Sequence, residues 1–300
     1  MKFRPYQQAI IEQGSDILTR YCMLYLAMEV RTGKTLTSFG ICEKVGAQSV
    51  LFITKKKAII EIETDQELFN PSFDLTIINY ESLHKIDETL HFDTIICDEA
   101  HSMGAFPKAS KRARQVRTLL HRYGSGLILM SGTPTPESFS QMYHQMYGHR
   151  ASPFAHYKNF YAWAHDYVDV RQKMINGYRI NDYSRGVESK ILEAIERYTI
   201  SYTQKEAGFK SSIEEEVRYV KMDDVTYTLC SRLQADNVIE GSEEAVLADT
   251  GAKMMSKLHQ LYSGTVIFES GNSKVLDWSK AQYIEHNFSG KKLAIFYKFK

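Results

Sequence analysis

The residues with the most chemistry in this 300-residue chain fall in three short runs. The first, Met28-Glu29-Val30-Arg31-Thr32-Gly33-Lys34-Thr35, matches a phosphate-binding loop in which Met28 takes the place of the first glycine. In such a loop, backbone N–H groups of residues like Glu29, Val30, Arg31, Thr32 and Gly33 wrap nucleotide phosphates at a helix N-terminus, where the peptide dipoles favour anions. Lys34 adds a point charge on the phosphate oxygens, and the Thr35 hydroxyl is a magnesium ligand. The second run, Asp98-Glu99-Ala100-His101, directly follows the apolar residues 94–97. An aspartate there can hold magnesium, and the adjacent glutamate can orient and deprotonate an attacking water. The third, Ser131-Gly132-Thr133-Pro134, follows residues 127–130. Its Ser131 and Thr133 hydroxyls can bond the acidic loop and report the nucleotide's state. Taken alone it reads equally well as a turn punctuated by Gly and Pro.

These runs need a scaffold, and the hydropathy pattern supplies one. Residues 23–27, 49–53, 75–78, 94–97 and 127–130 are short, β-rich and continuously apolar. That is the pattern of strands buried on both faces of a parallel sheet. Helical segments lie between them, 34–44 opening at the phosphate loop, which gives repeated βαβ units and a doubly wound α/β fold. Functional groups of such sheets gather at the carboxyl ends of the strands, where all three runs fall. After Pro136 the pattern changes. Residues 137–205 show helical periodicity, the aromatics Phe154, Tyr157, Phe160, Tyr161 and Trp163, and no clear strand. A packed helical core accounts for the aromatics. Farther on, 214–222 predicts a strand, about 273–286 a helix, and 293–297 another buried strand.

Composition narrows the class without naming a function. The chain is 43% hydrophobic and 24% charged, close to soluble globular averages, and no run is apolar for long enough to cross a bilayer. The N-terminus lacks the pattern of a secretory signal. The four cysteines, Cys22, Cys42, Cys97 and Cys230, show no CxxC spacing, which argues against a zinc site or disulfide framework and predicts a reducing, cytoplasmic setting. A formal net charge of +1 is neutral on nucleic acid. The basic residues Lys108, Lys111, Arg112, Arg114, Arg117 and Arg122 fit either phosphate contacts or a solvated helix face.

In order and spacing, Gly33-Lys34-Thr35, Asp98-Glu99-Ala100-His101 and Ser131-Gly132-Thr133-Pro134 resemble motifs I, II and III of the superfamily 2 helicases of the DEAD/DEAH-box type. Phe3-Arg4-Pro5-Tyr6-Gln7 is similar to the segment whose glutamine reads adenine in that superfamily, so the resemblance gives Gln7 that role. Residues 50–54 and 77–82 resemble motifs Ia and Ib, which touch the nucleic-acid backbone, and imply contacts from Thr54, Lys55 and Tyr80. Residues 134–139, 160–163 and 197–203 resemble the Swi/Snf branch of ATP-dependent translocases. The resemblance implies ATP and Mg2+ as cofactors and double-stranded DNA as partner. It also implies a RecA-like ATP-binding domain over 1–148, a helical insertion over 149–212, and the start of a second RecA-like domain over 213–300, with motif IV at 292–298.

Two departures stand out. Met28 and Arg31 replace the small residues that the family prefers, Arg31 where glycine is usual. Motifs V and VI, whose arginines contribute roughly a thousandfold or more to phosphoryl transfer, are not among these residues, so a C-terminal half or a partner is expected to supply them. The leading expectation is an ATP-hydrolysing DNA translocase or helicase motor. The alternative is a nucleotide- and DNA-binding module with little hydrolysis of its own, acting through a partner. A P-loop kinase or GTPase explains neither the acidic run nor the Ser-Gly-Thr-Pro run after it.

Overall fold

A computed structural model describes residues 2–175, 178–209, 215–241 and 244–296. Its contacts divide the chain into two units, residues 1–211 and 212–300.

The first unit opens with α1 (Pro5–Tyr21), which starts on Pro5, a residue preset for the first helical turn. It ends at Cys22, whose left-handed φ of 53° turns the chain straight into β1 (Met23–Met28). There follow α2 (Lys34–Lys44), β2 (Ser49–Thr54), α3 (Ile59–Phe69), β3 (Asp74–Asn79), β4 (Thr94–Cys97), α4 (Lys111–Tyr123) and β5 (Gly126–Met130). The five expected strands are all present and all parallel, as the continuous apolar runs required. Alternate side chains of each strand enter different cores. Met23, Tyr25, Leu51, Ile53, Ile95, Cys97, Leu127 and Leu129 pack on one face with α4. Leu24, Leu26, Val50, Phe52, Ile96, Ile128 and Met130 pack on the other with α1 and α2. Two-sided burial is why these strands read as unbroken hydrophobic runs.

Beyond Pro136 the structure corrects the sequence reading. The segment holds short helices, α5 (Met142–Met146), α6 (Phe160–Tyr167) and α7 (Glu188–Ile195), but also strands. β6 (Arg171–Ile175) and β7 (Tyr178–Asp182) form an antiparallel pair. β8 (Thr199–Tyr202) joins the main sheet, extending its order to β3-β2-β4-β5-β1-β8. β8 runs parallel to β1, with Tyr25 opposite Thr199 and Met28 opposite Tyr202. It is a four-residue edge strand with only Ile200 buried, too short and too polar to announce itself. The aromatics do form a core. Trp163 is fully buried, with Tyr143, Tyr167, Phe154 and Phe160 at ring-centroid distances of 5.1, 5.3, 5.5 and 5.5 Å. That cluster is continuous with the α4 face of the sheet, so residues 149–209 pack in one unit with residues 2–148.

The second unit holds α8 (Asp224–Asp236), the antiparallel pair β9 (Val238–Glu240) and β10 (Ala245–Leu247), α9 (Gly251–Leu261), the antiparallel pair β11 (Thr265–Ile267) and β12 (Ser273–Val275), and α10 (Ser279–Phe288). Its small core gathers Cys230, Leu233, Val246, Ala248, Leu261 and Val266. Buried Asp277 ties the ends together, accepting from the Thr226 hydroxyl at 2.6 Å and from the Asp223 and Ser279 amides at 2.8 Å each. No parallel pairing occurs in this unit among the described residues. The strand expected over 214–222 is absent from its described part, 215–222, where Val217 is 76% and Tyr219 92% exposed. The strand expected over 293–297 is absent from 293–296, where Phe296 is 95% exposed, and Tyr297 and the end of the motif IV segment lie outside the described residues. An apolar run becomes a strand only when a neighbour pairs with its backbone. Residues 273–275 pair with β11, which delays the expected helix to Ser279.

Candidate nucleotide-binding and hydrolysis site

The phosphate loop joins the end of β1 to α2. Gly33 sits at φ +79°, which favours glycine, and a Cβ there would lie 2.7 Å from Gln7 Nε2 and push that carboxamide aside. Arg31 also takes a left-handed φ, +64°, at the position where the resemblance calls for glycine. Holding a side chain in that region costs about 1–2 kcal/mol. Inside the loop, the Glu29 carbonyl accepts from the Thr32 hydroxyl at 2.7 Å and from Lys34 Nζ at 3.2 Å. The first N–H groups of α2 have no acceptor within their own helix, so together with the dipole they make an anion site beside Lys34.

Two other elements brace this loop. From α1, the Tyr6 hydroxyl donates to the Thr32 carbonyl at 3.0 Å, and Gln7 Nε2 donates to the Gly33 carbonyl at 3.4 Å and the Thr37 hydroxyl at 3.3 Å. Gln7 Oε1 accepts from the Arg4 amide at 3.1 Å. The residue expected to read adenine is therefore buried, with its carboxamide committed to the loop. From the far side of β8, Glu29 Oε2 accepts from the Gln204 amide at 2.7 Å, while Gln204 Nε2 donates to the Val30 carbonyl at 2.9 Å. The Glu29 side chain thus faces Gln204, and Val30 and Arg31 are exposed.

The acidic loop leaves β4 beside it. Asp98 is held at three points: its amide donates to the Ile53 carbonyl at 2.8 Å, its carboxylate accepts from the Thr54 hydroxyl at 2.7 Å, and its carbonyl accepts from the Tyr80 hydroxyl at 2.7 Å. Glu99 adopts φ +50°. Its Oε2 lies 3.2 Å from His101 Nδ1, and its Oε1 lies 3.8 Å from Lys55 Nζ. His101 Nδ1 is also 2.9 Å from Ser131 Oγ, which accepts from the Thr133 amide at 3.1 Å. Thr133 joins this chain through its backbone, its side chain being exposed. A further link missed by sequence reading runs beneath: the buried Tyr25 hydroxyl donates to Gln145 Oε1 at 2.7 Å, and Gln145 Nε2 donates to the Pro134 carbonyl at 2.9 Å.

Burial shapes the charges. It pushes the Asp98 carboxyl above its usual range, against the lowering effect of the Thr54 hydroxyl. It pushes the Lys34 ammonium below its usual range, against the pull of Asp98 and Glu99. Burial likewise lowers His101, with Glu99 opposing. Desolvation outweighs attraction at both Lys34 and Asp98, so the site carries opposite charges that protein alone leaves under-compensated. Phosphates and a divalent cation are groups that would compensate such charges. Among the described residues no three His, Cys, Asp or Glu side chains gather to hold a metal. The oxygen donors of Thr35 and Asp98 are of the hard type that magnesium takes together with substrate phosphates and water.

The sequence model of the SNF2-related domain matches residues 27–264. The chain belongs to that family. It is a superfamily 2, Swi/Snf-type motor domain with the RecA-like sheet of that class. Among solved structures it is similar to the Sulfolobus solfataricus SWI2/SNF2 ATPase core in complex with dsDNA, at 13% identity and a TM-score of 0.54, the match covering 87% of this chain and 58% of that one. At that identity the likeness speaks for the fold, and the chain spans 58% of the length of the core it matches. A nuclease-deletion mutant of the Type ISP restriction-modification enzyme LlaGI, in complex with a DNA substrate mimic, also matches, at 18% identity, a TM-score of 0.33, and 45% and 18% coverage. No curated protein matches the sequence.

The SNF2-related domain places the residues expected to touch nucleic acid differently from the motif reading. Thr54 and Tyr80 are fully buried, because the ends of β2 and β3 turn inward to hold Asp98; neither side chain can meet a nucleic acid. Lys55 alone of the three is open, its side chain 46% exposed. The basic residues near α4 are partly spent. Arg112 donates to Glu81 at 3.0 Å and lies 5.1 Å over the Tyr80 ring, Arg122 pairs with Glu88 at 3.2 Å, and Arg117 lies 6.0 Å over Tyr147. Lys108 precedes the helix. Gln204 and Tyr25 left no local signal, since each acts on a loop remote in sequence.

Proposed function

We propose that this SNF2-related domain is an ATP-hydrolysing motor that moves along duplex DNA. The observation that carries the reading is that the phosphate loop ending β1 and the acidic loop ending β4 leave the carboxyl edge of one parallel sheet, with Lys34 close enough to Asp98 and Glu99 to feel their charges. The N-terminal amides of α2 and the Lys34 ammonium hold the β- and γ-phosphates of ATP. The Thr35 hydroxyl and the Asp98 carboxylate would hold Mg2+, which supplies charge neutralisation on the phosphate oxygens. Thr54 keeps Asp98 oriented for that task, and Glu99 takes the proton of the attacking water. His101, Ser131 and the Thr133 amide relay the state of the acidic loop to β5. The adenine lies near Gln7, whose carboxamide ties its recognition to the loop's shape. Duplex DNA is favoured because the matched SWI2/SNF2 core was solved with dsDNA.

A second reading, a nucleotide- and DNA-binding module with little turnover, draws support from both Glu99 oxygens facing nitrogens. Steady-state ATP turnover with and without duplex DNA, beside Glu99→Gln, separates the two. The motor reading expects DNA-stimulated turnover that falls about 100-fold or more in the variant, with nucleotide binding retained. Turnover in the wild type no higher than in Glu99→Gln would leave the binding module standing.

A further inference from the structure

Two adjacent residues at the end of β2 meet two adjacent acids at the end of β4. Thr54 donates to the Asp98 carboxylate at 2.7 Å, and Lys55 Nζ stands 3.8 Å from Glu99 Oε1. The second Glu99 oxygen lies 3.2 Å from His101 Nδ1. A general base must present a free carboxylate oxygen to the water that it deprotonates. Here each oxygen is turned toward a nitrogen, on a backbone fixed at φ +50°. Thr54 is buried and permanent, whereas Lys55 is not: its side chain is 46% exposed and that of Glu99 36%. Lys56 and Lys57 follow it, both exposed. A half-exposed ion pair in water holds weakly. A duplex backbone, with one negative charge per roughly 1.7 Å of axis, is a stronger competitor for the same ammonium.

We propose that Lys55 is a latch on Glu99 that nucleic acid opens. Without DNA, Lys55 holds the Glu99 carboxylate away from the water position. A backbone phosphate draws Lys55 off and frees Glu99 to act. One lysine is shared between two anions, so DNA binding and water activation are coupled without any change in the sheet. The proposal rests on the motor reading above, and Lys55 is a positioning residue that acts through Glu99. Linkage gives it a signature that needs no turnover. Whatever releases Lys55 from Glu99 strengthens its hold on DNA, and the coupling is reciprocal.

The test is a double-mutant cycle on the full chain, with a fluorescently labelled duplex followed by anisotropy in the absence of nucleotide. Glu99→Gln is expected to tighten duplex binding by about threefold when Lys55 is present and by clearly less in Lys55→Ala, a non-additivity that general charge repulsion does not produce. In parallel, DNA-free ATP turnover is expected to rise by a similar factor in Lys55→Ala, with a smaller fold-stimulation by DNA, and to return to the wild-type value in Lys55→Arg. Circular dichroism checks that each variant is folded. An additive cycle with unchanged DNA-free turnover, in a wild type that binds duplex and hydrolyses ATP, overturns the latch and leaves the motor reading intact. A wild type that binds no duplex overturns the motor reading and the DNA trigger with it.

Discussion

Thr54 shows what a single residue decides at this site. Its motif resemblance assigns it to the nucleic-acid backbone, yet it is fully buried and its hydroxyl is a donor to the Asp98 carboxylate. The same inversion affects Tyr80, whose hydroxyl reaches the Asp98 carbonyl. Sequence reading could place both residues at strand ends, because β2 and β3 were legible from their apolar runs. It could not say which way a polar side chain turns at the end of a strand, since that depends on what the neighbouring strand leaves unsatisfied. Removing the Thr54 hydroxyl while keeping its shape isolates the effect. Thr54→Val leaves a carboxylate that is already pushed toward neutrality by burial without its donor. It is expected to lose about 1–3 kcal/mol of stability, read by urea unfolding followed by circular dichroism. The Mg2+ concentration that half-saturates nucleotide binding should rise, because the metal must then orient Asp98 itself. A variant as stable as wild type with the same Mg2+ requirement would show that the bond is incidental.

At the scale of elements, the legible part of the fold was the part with local cause. Five strands could be read, four because they are buried on two faces and β3 because its apolar run is half-buried at the sheet edge, and α2 because a phosphate loop must open a helix. β8 and the turn after it could not, since their stabilising contacts lie with β1 and the phosphate loop, remote in sequence. That pairing nevertheless matters for the site. The Gln204 amide and Glu29 carboxylate form a charge-assisted bond, and the Gln204 side chain holds the Val30 carbonyl, so the loop is clamped by a segment that follows the aromatic insertion. The clamp offsets the cost of holding Arg31 at a positive φ. Glu29→Ala removes one arm of the clamp without touching the amides of α2, Lys34 or Thr35. Nucleotide affinity is expected to fall about tenfold, in line with a charge-assisted bond of about 1.5–3 kcal/mol, part of which serves folding. Titration with a fluorescent ATP analogue measures it. Unchanged affinity would mean that the loop keeps its shape without β8.

The whole molecule divides its apolar material as it divides its contacts. The two large clusters on the faces of the six-stranded sheet lie wholly within residues 1–211, and the small cluster of Cys230, Leu233, Val246, Ala248, Leu261 and Val266 lies wholly within 212–300. Every side chain assigned to phosphate, magnesium and water also lies in the first unit, from Lys34 to Glu99, and so does the Gln204 clamp. A unit with its own core, its own sheet and its own site should fold and bind nucleotide by itself. A protein of residues 1–211 is therefore expected to unfold in one cooperative transition, and saturating Mg2+ with an ATP analogue should stabilise it. At a ligand concentration of one hundred times Kd the gain is about 2.7 kcal/mol, visible as a shift of the urea midpoint. The isolated 212–300 segment should show no such shift. Ending the shorter protein at residue 198 instead would remove β8 and the clamp while keeping every motif that the sequence displays. The nucleotide-induced shift should then shrink, which would show that the element hidden from the sequence belongs to the site as much as the motifs do.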